Sequence, residues 1–115
     1  VTVLGLTFKE NCQDIRNTKV IDIIKELHEY NVFVSIHDPI ANVKESYDEY
    51  GLELSQWQDL PQAEAVILAV PHTEYLNLTD EALLSLIKPT GCLIDIKSVK
   101  NKARYTSQGI SVWQL

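Results

Sequence analysis

The sequence predicts a doubly wound α/β fold, in which a mostly parallel sheet carries helices on both faces. Residues 64–70 are apolar at nearly every position, which is typical of a strand buried on both faces of a parallel sheet. Predicted strands and helices follow in the order β-α-β-α-β-β-α-β-β, and such alternation favours parallel strands joined by helical crossovers. A chain of 115 residues has the length of one domain, so we expect residues 1–115 to form a single one.

The amino-terminal half contains two predicted strand–helix units. Residues 1–5 form a short apolar strand that ends at a glycine, where the backbone can turn tightly. Residues 32–37 form a second strand, which stops at an Asp-Pro pair because proline lacks a hydrogen-bond donor. Residues 42–50 form a short second helix that ends before a glycine. The first helix is predicted by one apolar stripe with i, i+3, i+4 and i+7 spacing, formed by Val20, Ile23, Ile24 and Leu27.

The carboxyl-terminal half supplies the remaining predicted elements. Residues 52–54 are predicted as a short strand and residues 64–70 as the central strand, which a proline ends. Residues 80–87 form a helix with a Thr or Asp cap. Residues 92–95 and 110–113 complete the strands, and no repeat or linker interrupts this half of the chain.

Composition excludes several classes of partner. The net charge is −6, with 10 basic and 16 acidic residues, so the chain is a poor platform for nucleic-acid binding. Its longest apolar run, residues 65–70, is far short of the ~20 residues that span a bilayer. We therefore expect no nucleic-acid and no membrane partner. Two cysteines do not form a disulfide framework and no signal peptide is visible, so a cytoplasmic location is expected.

The loop after the first strand is the most informative candidate site, because ligands of open α/β sheets bind beyond the carboxyl ends of strands. It lacks the G-x-G-x-x-G fingerprint of dinucleotide sites. It offers Phe8 beside Lys9, and then Arg16 near a helix start, where the helix dipole favours phosphate. The alternative is that Arg16 only pairs with Asp14 and that Lys9 is solvated.

A family resemblance is carried by four stretches. They are the loop F-K-E-N-C-Q-D-I-R-N (8–17), the pair D-P (38–39), the segment V-P-H-T-E-Y (70–75) and the segment L-I-D-I-K (93–97). Together they resemble the nucleotide-sugar-binding carboxyl-terminal domain of the UDP-glucose/GDP-mannose dehydrogenase family, over nearly the whole chain. The run D-I-R-N-T-K is most similar to the branch that acts on UDP-N-acetylhexosamines.

The resemblance implies a Rossmann-like domain of a longer enzyme, and the absence of an initiator Met agrees with a piece of a longer protein. Such enzymes place an NAD-binding domain and a helical dimer-forming segment upstream. They oxidise the C6 alcohol of a UDP-hexose or UDP-N-acetylhexosamine to the uronic acid, with NAD, for polysaccharide biosynthesis. By this resemblance the full-length protein is a homodimer, NAD is bound mainly by the upstream domain, and the 115-residue chain alone is inactive.

Site residues are assigned from the same resemblance. It implies that Phe8 and Lys9 contact the UDP-sugar and that Arg16 reaches across a cleft to NAD. Lys97 stands where the family often has an arginine that touches substrate from the partner subunit. Cys12 is interpreted as a loop residue, because the family's nucleophilic cysteine lies in a G-x-C-x-P-K-D-type segment that this sequence lacks. We therefore assign no catalytic residue to this chain.

The histidines, the cysteines and Asp38 are weaker candidates for site residues. Neither the histidines nor the cysteines have metal-ligand spacing, so no metal site is predicted. His72, on a ligand-side loop, is the only histidine for which we keep a role in a cleft. Asp38 resembles the acid that binds a ribose in dinucleotide folds, but we favour an Asp-Pro turn.

Two other function classes remain open at this stage. The chain could be a free-standing nucleotide-binding or regulatory module without catalysis, and the coding sequence upstream of Val1 would distinguish that case. A flavodoxin-like receiver or cofactor carrier is disfavoured, because the first strand is not followed by an acidic pair.

Overall fold

The computed structural model describes residues 1–115 and contains one five-stranded sheet. Its strands are β1 (Thr2–Leu4), β2 (Ser35–His37), β3 (Ala63–Leu68), β4 (Ile87–Asp95) and β5 (Ser111–Gln114). Its helices are α1 (Val20–Glu29), α2 (Val43–Tyr50), α3 (Thr73–Leu76), α4 (Asp80–Leu84) and α5 (Lys102–Thr106). A single 3₁₀ turn, Trp57–Asp59, precedes β3.

All neighbouring strands are parallel, in the order β2-β1-β3-β4-β5. From β1 the chain first adds β2 on one side and then crosses to add β3 on the other. Val3 is in register with both Ile36 of β2 and Ile67 of β3. The strand order therefore reverses at β1, and the carboxyl ends of β1 and β3 border the crevice where such folds bind ligands. The predicted doubly wound fold is confirmed.

Consecutive apolar residues of the central strands serve two separate cores. Val3 and Ile67 face α1, whereas Leu4 and Leu68 face α3, α4 and α5. Burial of each Val, Leu or Ile side chain in these cores stabilises the fold by roughly 1.5–3 kcal/mol. The core on the α1 side comprises Val3, Leu6, Val20, Ile21, Ile24, Ile36, Ile67, Ala69 and Val70. The opposite core comprises Leu4, Val66, Leu68, Tyr75, Leu83, Leu86, Ile87, Leu93, Tyr105, Ile110 and Val112.

Several elements of the structure differ from the prediction. Residues 52–54 do not form a strand. Only Leu54 reaches the edge of β2, where it forms a single bridge with Ile36. The helix predicted over 80–87 ends at Leu84, since Ile87 already pairs with Ala63 and starts β4. The helices α3 and α5 were not predicted, because four or five residues are too few to show helical periodicity.

Gly5 lets β1 pass very close to the end of β3. Its φ is +98°, and a Cβ at this position would lie 2.6 Å from the Val70 Cβ and 2.8 Å from the Val70 nitrogen. The glycine is thus required by packing between two strand ends. None of the helices is long and apolar enough to cross a membrane.

Candidate functional site

A buried polar cluster joins the loops that follow β1, β2 and β3. It contains Thr7, Asp38 and His72, and the side chains of Asp38 and His72 are fully buried. His72 Nε2 lies 2.9 Å from Asp38 Oδ2 and 3.1 Å from Thr7 Oγ1. The cluster therefore fixes three ligand-side loops relative to one another at the point where the strand order reverses.

The Asp38 carboxylate is saturated by donors from the protein itself. It accepts hydrogen bonds of 2.7–3.2 Å from the amides of Leu6, Thr7, Ile40 and Ala41 and from His72 Nε2. Burial favours a raised pKa, but the hydrogen bonds from His72 and from the Leu6 and Ile40 amides prevail and lower the pKa of Asp38 to about 2. These bonds agree with the Asp-Pro turn interpretation, because no carboxylate oxygen is left for a ribose.

The depressed pKa of Asp38 predicts acid lability of the fold. A group whose pKa is lower in the folded state contributes stability above its unfolded pKa, near 3.8, and loses it as pH falls towards the folded value of about 2. The difference corresponds to about 2 kcal/mol. Urea unfolding of the wild type and of Asp38→Asn between pH 6 and pH 2 measures this contribution. We expect the unfolding free energy of the wild type to fall more steeply below pH 4, and parallel profiles for the two proteins would contradict this role of Asp38.

The loop after β1 is closed by a turn over residues 9–12. The Phe8 amide donates to the Asp14 carbonyl at 2.7 Å, and the Cys12 amide donates to the Lys9 carbonyl at 3.3 Å. Asn11 has a φ of +58° at the third position of this turn, where type II turns require a positive φ. The Lys9 side chain is exposed at this turn.

Arg16 lies on a separate part of the surface. Asp14 Oδ1 accepts from the Arg16 amide at 2.8 Å and from Nε at 3.0 Å, and Oδ2 accepts from Nη2 at 3.1 Å. This pairing raises the pKa of Arg16 and lowers that of Asp14. The local ion pair considered from the sequence is therefore present. The guanidinium borders a depression of about 530 Å³ whose other charged side chains are acidic: Asp14, Glu45, Asp48 and Glu49.

A second cavity, of about 250 Å³, lies at the carboxyl ends of β3 and β4. The cavity is lined by Phe8, Lys19 and Lys97. The Phe8 residue is 52 % exposed. The floor of the cavity includes Ile23 and Ile96, and the first turn of α1 borders it. Two ammonium groups and a helix N-terminus give this cavity positive charge beside an aromatic ring and apolar side chains. Such a lining suits an anion with a flat or apolar part.

The structure brings together two of the predicted site residues, Phe8 and Lys97. Lys9 follows Phe8 on the same loop but does not line the cavity, and Arg16 faces the acidic depression. Cys12 is half-buried within the turn. No group of three His, Cys, Asp or Glu side chains is placed to hold a metal ion. Lys19 also lines the cavity and was not predicted from the sequence, although its position directly before an apolar helical stripe was a usable signal.

Comparison with known proteins identifies the family of this chain. Residues 2–102 match the family model described as the UDP-glucose/GDP-mannose dehydrogenase family, UDP binding domain. The chain belongs to this family. The match contains the loop after β1, the buried cluster and the cavity lined by Phe8, Lys19 and Lys97.

Two relatives of this UDP binding domain are similar over most of the chain. Protein CapL of Staphylococcus aureus is 45 % identical over 101 residues, which cover 88 % of this chain and 24 % of CapL. UDP-N-acetyl-D-glucosamine 6-dehydrogenase of Pseudomonas aeruginosa is 42 % identical over 97 residues, covering 84 % of this chain and 23 % of that enzyme. The chain spans about a quarter of the length of these relatives.

A solved structure shows the same fold. The crystal structure of NDP-N-acetyl-D-galactosaminuronic acid dehydrogenase from Methanosarcina mazei Go1 superposes with a TM-score of 0.81 at 24 % identity. The superposition covers 98 % of this chain and 24 % of that one. At this identity the likeness establishes the fold alone.

Proposed function

We propose that the chain binds the UDP-sugar of an NAD-dependent UDP-sugar 6-dehydrogenase that acts on a UDP-N-acetylhexosamine. The observation that carries this proposal is the cavity shared by Phe8, Lys19 and Lys97 at the carboxyl ends of β3 and β4. It lies in a chain that belongs to the UDP binding domain family. The relatives named for UDP-N-acetyl-D-glucosamine support the N-acetylhexosamine branch.

Each residue around the cavity has a role in this proposal. The exposed Phe8 ring offers a flat apolar face to the base or the sugar. Lys97 on the cavity wall and Lys9 on the neighbouring turn approach the diphosphate, which they bind by charge-assisted hydrogen bonds. This assigns Lys97 to the UDP-sugar of its own chain, whereas the resemblance implied a contact from the partner subunit. The α1 N-terminus adds partial positive charge on the same side of the ligand. Lys19, which the sequence interpretation did not include, supplies another ammonium group at the rim.

NAD is proposed to contact this chain only through Arg16. The glycine turn after β1 is not available as a pyrophosphate cradle, because Gly5 packs against Val70 and leaves no room for a ligand there. The Arg16 side chain is 79 % exposed, and Asp14 holds its Nε and Nη2. This pairing leaves Nη1 free to donate to a second ligand on a side distinct from the Phe8 cavity.

The complete enzyme is proposed to supply what this chain lacks. Its upstream segments hold most of NAD, the nucleophilic cysteine and the dimer contacts, which fits the quarter of the relatives that this chain spans. The oxidation of the C6 alcohol to the carboxylate would release two hydrides to two molecules of NAD and take up one water. We place the enzyme in the cytoplasm, in the formation of a polysaccharide precursor. The purified 115-residue chain is accordingly expected to produce no NADH from any UDP-sugar and NAD, and measurable NADH would contradict this division of labour.

Calorimetric titration of the 115-residue chain tests the ligand class. We expect UDP and UDP-N-acetyl-D-glucosamine to bind weakly and NAD to bind more weakly still, because no glycine fingerprint is present. GDP-mannose provides the matched control, since it carries the same diphosphate on another base and sugar. Equal or tighter binding of NAD or of GDP-mannose would contradict a site built for a UDP-sugar.

A further inference from the structure

The turn that carries Lys9 lies largely on the surface. Its residues Lys9, Glu10 and Asn11 are all exposed. Four hydrogen bonds connect this turn to the rest of the protein, and three of them involve Asn11. We propose that His72 is a positioning residue that holds this turn through its Nδ1 atom, with the ring proton on Nε2. The role in ligand binding rests on the proposed function of Lys9.

The contacts of the imidazole define which tautomer is present. The Asn11 amide lies 2.9 Å from His72 Nδ1. A backbone N–H can only donate, so Nδ1 must carry the lone pair and the ring proton must be on Nε2. Nε2 in turn faces Asp38 Oδ2 at 2.9 Å, and Asp38 is a fixed acceptor because four backbone amides hold it.

The Asn11 side chain extends the same attachment. Its Oδ1 accepts from the Thr73 amide at 2.9 Å and from the Thr73 hydroxyl at 3.1 Å. Three hydrogen bonds therefore connect Asn11 to His72 and Thr73 at the end of β3. The only other side-chain bond to the turn is the one from the Thr7 hydroxyl to the Lys9 carbonyl, at 3.1 Å.

This attachment gives His72 an effect on ligands that it never touches. His72 is fully buried, so it cannot contact a ligand in the cavity. By fixing Asn11 it fixes the turn from which Lys9 extends, and a turn ordered in advance loses less conformational freedom when a ligand binds. Loss of the Nδ1 acceptor is therefore expected to weaken UDP binding without removing any residue that contacts UDP.

Two substitutions separate the two nitrogens of the ring. In His72→Gln the terminal amide reaches the Nε2 position and can still donate to Asp38, but no acceptor faces Asn11. In His72→Asn the side-chain oxygen reaches the Nδ1 position and can accept from Asn11, but the donor to Asp38 is lost. Both variants remove the imidazole and each keeps one of its two hydrogen bonds, so a difference between them distinguishes the bond to Asn11 from the bond to Asp38.

The experiment measures both variants and the wild type as 115-residue chains. We expect the Asn11 amide of His72→Gln to exchange with solvent about tenfold faster than in the wild type, and UDP affinity to fall about three- to tenfold. His72→Asn should retain the protection of the Asn11 amide and bind UDP within about twofold of the wild type. The imidazole ¹⁵N shifts of the wild type should show a protonated Nε2 and an unprotonated Nδ1.

Each contrary result has a distinct meaning. A protonated Nδ1, or equal Asn11 exchange in the two variants, would overturn the role of His72 in holding the turn. Faster exchange in His72→Gln with unchanged UDP affinity would overturn its role in ligand binding. If the wild type does not bind UDP at all, the proposed function fails, whereas the tautomer and the exchange rates still decide whether His72 holds the turn.

Discussion

Alanine in place of Gly5 is expected to destabilise the fold by about 3–5 kcal/mol, the range of severe packing and backbone defects. The new Cβ would lie 2.6 Å from the Val70 Cβ, 2.8 Å from the Val70 nitrogen and 3.0 Å from its carbonyl oxygen. Two of these atoms belong to the backbone at the end of β3, so relief requires the strand ends of β1 and β3 to separate. The φ of +98° adds strain for any residue with a Cβ.

Gly51→Ala is the matched control for Gly5→Ala. Gly51 also has a positive φ, +67°, but no atom lies within 4 Å of the position of its missing Cβ. Gly51→Ala should therefore lower the free energy of unfolding only by the strain of a left-handed backbone, roughly 1–2 kcal/mol. Urea unfolding followed by circular dichroism measures both variants. Equal losses at the two positions would show that contact with Val70 is unimportant.

Removal of the Lys9 ammonium is expected to have the largest effect on ligand binding. A charge-assisted hydrogen bond contributes about 1.5–3 kcal/mol, which is roughly tenfold to 150-fold in affinity. Lys9→Ala should weaken binding of UDP-N-acetyl-D-glucosamine to the 115-residue chain by that factor. Lys9 is exposed on its turn, so the substitution should leave the unfolding free energy nearly unchanged. Isothermal titration calorimetry checks the affinity and urea unfolding checks the stability.

Arg16→Ala is the comparison that gives the Lys9 result its meaning. Arg16 faces an acidic depression instead of the Phe8 cavity, so its loss should change UDP-sugar affinity by less than about threefold. Arg16→Lys should be measured beside it, because Asp14 loses its bidentate partner in the alanine variant. Equal losses of affinity for Lys9→Ala and Arg16→Ala, with both proteins folded, would indicate a generic anion site with no division of roles.

The strands of the two cores were predictable because burial on both faces leaves a direct trace in the sequence. Val3 and Leu4, or Ile67 and Leu68, are adjacent apolar residues that face opposite helical layers. Short elements leave no such trace. Helix α5 is anchored by one buried side chain, Tyr105, and the early start of β4 depends on the pairing of Ile87 with Ala63. Pairing between distant segments has no local signature.

The same distinction applies to the site. The Asp14–Arg16 pair spans two positions and was foreseen as a local salt bridge. The bond between Asn11 and His72 joins residues 61 positions apart, and only the fold brings them together. The sharing of one cavity by Phe8, Lys19 and Lys97 likewise depends on the strand order. The sequence thus indicates which loops and residue types are candidates for the site. The sheet topology determines which of these side chains lie next to one another.

The central claim is that a UDP-sugar binds at the carboxyl edge of the sheet, between the loop after β1 and the loop after β4. The most direct test is a ¹H–¹⁵N chemical-shift titration of the 115-residue chain with UDP. We expect saturable shifts in the amides of residues 6–19 and 96–98. A different cavity, of about 370 Å³, lies at the opposite edge and is lined by residues that include Val1, Phe33 and Lys88. Shifts confined to that amino-terminal edge would contradict the proposed site.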